Sequence, residues 1–261
     1  MILEVKDLRV SYKSRTKYVD ALKKVSWAVK QGEILGIVGE SGSGKSTLAL
    51  SILNLLPSDS KSSGEIIFKD KNIFKGQEKE SEILRGSKIG LIFQDPASTF
   101  NPVLTINYQF QEILQSKLNI KSKPERKKII FDCLNKSRVR ESQRILKSYP
   151  HQLSGGQLQR VAIAMAIALR PSVLIADEPT SSLDVTIESQ VVHLFKELRD
   201  ELKLTIIFIT HNLDLVKSLC DRVAVLYQGE LREIRKKKEL FANPKDDYTR
   251  SLLDSFSQLE G

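Results

Sequence analysis

Nine consecutive residues, Gly39-Glu40-Ser41-Gly42-Ser43-Gly44-Lys45-Ser46-Thr47, fit the pattern G-x-x-x-x-G-K-[ST]. Glycines at this spacing let backbone N–H groups curl around phosphate oxygens, and the N-terminus of a following helix adds its positive dipole end. In such a loop Lys45 reaches the outer phosphates as a point charge, and the Ser46 hydroxyl ligates Mg²⁺. The apolar run before it, Glu33 to Val38, does not alternate, which predicts a strand covered on both faces. After it, Leu48, Ile52, Leu53 and Leu56 recur at helical spacing from Ser46 to the breaker Pro57. Strand, glycine loop and helix in that order are the elements a phosphate cradle needs.

A metal on those phosphates calls for a carboxylate at the end of a neighbouring strand. Val173-Leu174-Ile175-Ala176-Asp177-Glu178 supplies one. Asp177 closes the apolar run and is placed to hold Mg²⁺ directly or through water; Glu178, one residue on, could polarise an attacking water as general base. Leu153-Ser154-Gly155-Gly156-Gln157 heads a helical pattern over 156–169, where Ser154 reads as an N-cap and the glycines can bare further N–H donors to phosphate. Gln94 follows a predicted strand over 89–93, and His211 follows another over 205–209. Alone, either is an ordinary polar residue at a strand end.

The elements that must position these residues are legible in outline. Leu8, Val10 and Tyr12 alternate with polar residues, as do Val25, Trp27 and Val29, which predicts strands with one wet face. Buried strands are predicted over 89–93, 173–176, 205–209 and 223–226, with helical patterns over 156–169 and 186–202 between them. That alternation gives an α/β class with a parallel sheet. From about Asn101 to Pro150 there is helical periodicity and no strand, so a helical segment is inserted.

The 261 residues are 41% hydrophobic and 28% charged, a globular balance outside the disordered range. The longest apolar run, Val161 to Leu169, is about half of the roughly 20 residues that span a bilayer, and residues 1–30 lack the pattern of a signal peptide. Both observations place the chain where it is made. Cys133 and Cys220 have no C-x-x-C spacing, which argues against a disulfide framework or a structural zinc and for two small buried side chains. The formal charge of +9 raises nucleic acid or an anionic membrane surface as partners.

Taken in order, the phosphate loop, Gln94, Leu153 to Gln157, Asp177-Glu178, Ser182-Leu183-Asp184 and His211 resemble the motif series of the ATP-binding cassette (ABC) ATPases, with Tyr12 at their aromatic adenine-stacking position. The resemblance runs from about Ile2 to Phe256. It implies a RecA-like P-loop NTPase core, over 1–95 and 160–261, with an N-terminal antiparallel β-subdomain and a helical subdomain over 96–159. It also implies ATP and Mg²⁺ as cofactors. Glu178 is then general base, His211 the sensor of γ-phosphate and water, and Gln94 a switchable link from Mg²⁺ to a docking groove. Ser154, Gly156 and Gln157, with Gly155 between them, contact the nucleotide held by a partner ATPase, and Asp184 crosses the same interface.

Phe93 to Pro102, Tyr149-Pro150-His151-Gln152, Asp184 to Ile187, Asn243-Pro244 and Tyr248 to Leu253 are similar to segments of the importers of dipeptides, oligopeptides and nickel. The resemblance therefore implies peptide import, with nickel or metallophore import as the alternative. Its partners are a second ATPase, usually a different chain but possibly a copy, two membrane permeases and, indirectly, a solute-binding protein. The place of work is the cytoplasmic face of the membrane. A DNA-repair ATPase of the same superfamily is the distant alternative, but such proteins insert long coiled coils where only 108 positions separate Ser46 from Ser154, so no nucleic acid is expected. The basic excess is local: residues 121–147 hold ten Lys or Arg and three acids. Two readings stay open for that run, a solvated helix face or a face turned to anionic headgroups.

Overall fold

Hydrophobic alternation decides the first sheet. The computed structural model describes residues 1–15, 17–74, 87–181 and 183–259, so Ser182 of the predicted motif series lies outside the described residues. Strands β1 (Leu3–Lys13) and β2 (Tyr18–Val29) pair antiparallel, from Leu3 opposite Val29 to Lys13 opposite Tyr18. The buried residues of β1 are Leu3 and Val5, then Leu8 and Val10, a change of parity that a regular strand cannot make. A register shift lies between Val5 and Leu8, and Asp7 there has φ +49°. Ser26 holds that bulge: its hydroxyl accepts from the Asp7 N–H at 2.8 Å and donates to the Asp7 carboxylate at 3.0 Å. Strands β4 (Lys61–Phe68) and β5 (Lys71–Asn72) complete the sheet in the order β2-β1-β4-β5. Neither β4 nor β5 is apparent in the sequence, where lysines and serines hide the pattern.

Two compact units emerge, residues 1–82 with 205–261, and residues 83–204. Beside the antiparallel sheet, the first unit holds β3 (Ile34–Val38), parallel to both β8 (Thr205–Ile209) and β9 (Arg222–Tyr227). All five residues of β3 are buried, as its unbroken apolar run requires. Covering each of its large side chains is worth about 1.5–3 kcal/mol. Strand β10 (Glu230–Lys236) pairs antiparallel with β9. Helices α1 (Lys45–Ile52), α7 (Leu213–Leu219), α8 (Lys237–Ala242) and α9 (Asp247–Leu259) belong to this unit, the numbering following the whole chain. Helix α1 ends four residues short of the predicted Leu56, because Asn54 takes a left-handed conformation (φ +52°) before Pro57 is reached.

In the second unit β6 (Ile89–Ile92) and β7 (Val173–Asp177) run parallel, Ile89 opposite Val173. Between them come α2 (Ile106–Leu118), α3 (Lys123–Lys136), α4 (Ser142–Lys147) and α5 (Gly155–Ala168), with α6 (Val185–Leu202) after β7. The predicted absence of strand over 101–150 holds. Much of the basic run is spent internally. Lys136 pairs with Asp132 and Glu201, Arg138 with Glu197 and Arg144 with Glu141, while the buried Arg126 donates to Gln111 and to the carbonyls of Ile120 and Lys121. Lys123, Lys127 and Lys128 stay exposed, which fits a solvated helix face.

Both cysteines are buried. Burial, then the charge of Asp132, pushes the Cys133 thiol up to about 12 against the opposing Lys136 and Arg170, and burial pushes Cys220 higher still. Since the thiolate is the reactive form, neither should label with a disulfide reagent at pH 8 in the native protein, and both should label in urea. Stoichiometric labelling of the folded chain would contradict this burial.

Among the described residues, no helix is long and apolar enough to cross a membrane.

Candidate nucleotide site

Strand β3 delivers the chain to Gly39, where φ is +153° and a Cβ would stand 2.0 Å from the Leu226 carbonyl oxygen, so only glycine fits. The loop then folds on itself. Lys45, 6% exposed, donates from Nζ to the carbonyls of Gly39 and Glu40, each at 2.8 Å. The Ser43 carbonyl accepts from the Gly229 N–H at 3.0 Å, which ties the loop to the β9–β10 turn. The Ser43 hydroxyl is buried without a hydrogen-bond partner among the described residues, a donor that a phosphate oxygen could satisfy. No side chain caps the start of α1, so the N–H groups of its first turn remain for an anion. Ser46, in that turn, is exposed.

Two other predicted residues of the first unit stand near this loop. The Tyr12 hydroxyl donates to Thr47 Oγ1 at 3.2 Å, which brings β1 onto the start of α1. His211 follows β8, whose Ile209 lies opposite Ile37, and the Thr210 N–H donates to the Ile37 carbonyl at 3.2 Å. His211 is thus at the same strand end as Gly39, with its side chain exposed.

A further neighbour of the loop carried no role in the sequence reading. Tyr248, at the start of α9, stacks on Tyr227 with centroids 3.9 Å apart, and its buried hydroxyl lies beside Glu40. Burial, then the Glu40 charge, raises its pKa. The stack is held from below: Asp246 accepts from the N–H groups of Tyr248 and Thr249, Glu233 accepts from those of Lys245 and Asp246, and Arg232 pairs with Asp246 at 3.1 Å. More than 200 positions separate Glu40 from Tyr248, so nothing local could reveal this contact.

The second unit carries the other candidates. Asp177 ends β7 and is 9% exposed; Glu178 follows with φ +45°, a left-handed conformation unusual for this residue. Gln94 Nε2 donates to Glu178 Oε2 at 3.3 Å, so the two predicted residues meet. Strain of about 1–3 kcal/mol at a single residue is characteristic of sites where a side chain must be aimed. Ser181 helps hold the turn, its hydroxyl donating to the Glu178 carbonyl at 3.1 Å.

Ser154 is the N-cap of α5, as its position predicts. Its hydroxyl accepts from the Gln157 N–H at 3.3 Å, while the Gln157 side chain accepts from the Ser154 N–H at 3.1 Å. The hydroxyl proton of Ser154 stays available as a donor. Gly156 is small for a packing reason: a Cβ there would stand 3.0 Å from Ile187 Cγ2. Asp184 caps α6 by accepting from the Ile187 N–H at 2.9 Å. Ser154, Gly155, Gly156, Gln157 and Asp184 line one cavity of about 840 Å³. In the segment leading into α5 the Tyr149 ring stacks on His151 and the Gln152 side chain accepts from the Tyr149 N–H.

A loop that can wrap phosphates, a strand-end carboxylate pair and a glycine-headed helix define a nucleoside triphosphatase of the cassette type. The chain belongs to the ABC transporter family, whose domain matches residues 22–181, and it is an ATPase of that family. It is 42% identical over 257 residues to a probable peptide ABC transporter ATP-binding protein of Sinorhizobium fredii, covering 98% of this chain and 76% of that one. It is likewise 42% identical to the dipeptide transport ATP-binding protein of Bacillus subtilis, over 99% of this chain and 78% of that one. Among solved structures it superposes on the dimeric ATP-binding cassette MJ0796 bound to ADP and phosphate, with a TM-score of 0.81, 33% identity, and 90% and 98% of the two chains covered. The predicted fold class, an α/β cassette with antiparallel and parallel sheets, is the one found.

Proposed function

We propose that this ATPase drives the import of peptides, working at the cytoplasmic face of the membrane on two permease subunits. The relatives carry this reading: proteins described as peptide, dipeptide and oligopeptide transport ATP-binding proteins match nearly the whole chain at 42% identity. The permease contact is supported by an apolar groove of about 210 Å³ lined by Phe93, Phe100 and Met165, with Val103 and Tyr108 exposed on the same unit. Within the cassette we assign residues 1–95 and 160–261 to the nucleotide-binding core and 96–159 to the helical insertion.

Residues 39–47 bind the ATP phosphates, and Tyr12 stacks on the adenine. Ser46, Asp177 and Gln94 hold Mg²⁺, which supplies charge neutralisation on the phosphates. This donor set suits that ion: Mg²⁺ takes one or two carboxylates and fills its remaining positions with phosphate oxygens and water. Among the described residues no cluster of three His, Cys, Asp or Glu forms a self-sufficient cage. Glu178 takes the proton of the attacking water, with Gln94 orienting its carboxylate and His211 donating to the γ-phosphate. Ser154, Gly155, Gly156 and Gln157 close on the nucleotide of a partner ATPase, and Asp184 meets that partner, so hydrolysis requires two subunits.

Replacing the native chain by its Glu178→Gln variant in living cells should abolish uptake of a labelled dipeptide or oligopeptide. Retained peptide uptake in cells whose sole copy is a variant chain shown to have lost phosphate release would overturn the substrate assignment.

A further inference from the structure

Three guanidinium groups face the cavity that the head of α5 and Asp184 line. Arg138 and Arg140 come from the turn after α3, and Arg160 from the second turn of α5. Arg138 (φ +55°) ends α3 in the left-handed conformation, with the Val139 N–H donating to the Leu134 carbonyl at 2.9 Å, and Glu141 (φ +54°) is the N-cap of α4, so Arg140 lies between two helix ends.

Local partners absorb only part of the charge, and none of that of Arg140 among the described residues. Arg138 pairs with Glu197, which also meets His193 at 3.3 Å. Arg160 donates to the neutral Gln190 side chain at 2.9 Å and to the Ser137 carbonyl at 3.4 Å. Arg140 is exposed and forms no ion pair among the described residues. Among the described residues the one carboxylate lining the cavity, Asp184, already accepts from the Ile187 N–H. Burial, followed by the charges of Arg138 and Arg140, lowers the Arg160 pKa. Helix α5 adds its positive N-terminal end to the same space. Planar guanidinium forks match phosphate oxygens in pairs, which makes arginine the side chain suited to a phosphate chain.

We propose that Arg140, with Arg138 beside it, is a second contact to the nucleoside triphosphate held by the partner ATPase, extending recognition from Ser154 and the glycines to the rest of its phosphate chain. This rests on the reading that the head of α5 faces a partner's nucleotide. Arg138 and Arg140 act as binding residues, gripping ATP equally before and during hydrolysis, so their loss should appear in KM and leave kcat alone.

The test compares Arg140→Ala and the double variant Arg138→Ala/Arg140→Ala in the assembled transporter. We expect the KM for ATP to rise about tenfold, the loss of one charge-assisted contact, with kcat unchanged. Arg140→Lys should restore part of the affinity, since it keeps the charge but not the fork. A fluorescent ATP analogue should bind the isolated single-alanine chain as tightly as wild type, because that measurement reads only the chain's own phosphate loop. Ser154→Arg separates the two ideas. If it abolishes hydrolysis while both alanine variants keep a wild-type KM, the arginine contact is overturned. If Ser154→Arg is also without effect, the head of α5 does not meet nucleotide, and the underlying reading falls.

Discussion

Glu178→Gln should lower steady-state phosphate release by roughly 10²- to 10⁴-fold, the contribution of a positioned general base, while leaving ATP affinity unchanged. The substitution is nearly isosteric. Gln94 donates to Glu178 Oε2, and the variant amide keeps a carbonyl oxygen that can accept there, so the turn after β7 should survive. What disappears is the ability to take a proton. An amide cannot do so near neutral pH, and a water left unpolarised attacks phosphorus slowly. The φ of +45° at this position is unaffected, since Gln and Glu share their backbone preferences. Near-normal turnover by the purified variant would remove Glu178 from the mechanism, and the strained turn would then need another explanation.

Lys45→Ala should fail at the opposite step. The ammonium group is buried and bonded to the carbonyls of Gly39 and Glu40, so it shapes the loop and holds a positive charge within it. Removing it leaves two carbonyls short of a donor and deletes one or more charge-assisted bonds to the ligand, each worth about 1.5–3 kcal/mol. The dissociation constant for ATP, read by calorimetry on the purified chain, should rise by at least about tenfold to a hundredfold. A urea unfolding curve run alongside shows whether the loop change has spread to the fold. Unaltered affinity would mean that nucleotide binds elsewhere. Together the two variants separate binding from turnover.

How much of this could be read beforehand depended on the range over which the physics acts. The phosphate loop was legible because all its parts are consecutive: an apolar run with no alternation, four residues between two glycines, and a helix pattern after them. Ser154 was legible as a cap because S-x-x-Q is a local device, and the structure closes it as the spacing predicts. Strand β10 was not legible. Arg232, Glu233 and Arg235 read as a charged surface, yet Glu233 is buried, because backbone N–H groups of Lys245 and Asp246 neutralise it from a segment 12 and 13 residues on. Arg138 and Arg140 at the α5 cavity are visible in the sequence only as part of a basic run, since charge counting cannot tell a lysine on a wet helix face from an arginine facing a cavity. Gly156 was read as an open N–H donor, whereas its contact with Ile187 adds a packing reason that lies 31 residues away.

The stack of Tyr248 on Tyr227, with Glu40 beside the phenol, makes the last helix a listener to the first loop. If the loop of Glu40 seats ATP as proposed, a ligand that fixes Glu40 also fixes what Tyr248 leans on, and by linkage that free energy is shared with the docking of α9. Helix α9 would then be a lever on nucleotide affinity. A pull on α9, or a cut in the backbone near Asp246, would be felt at the phosphates without touching a residue of the loop.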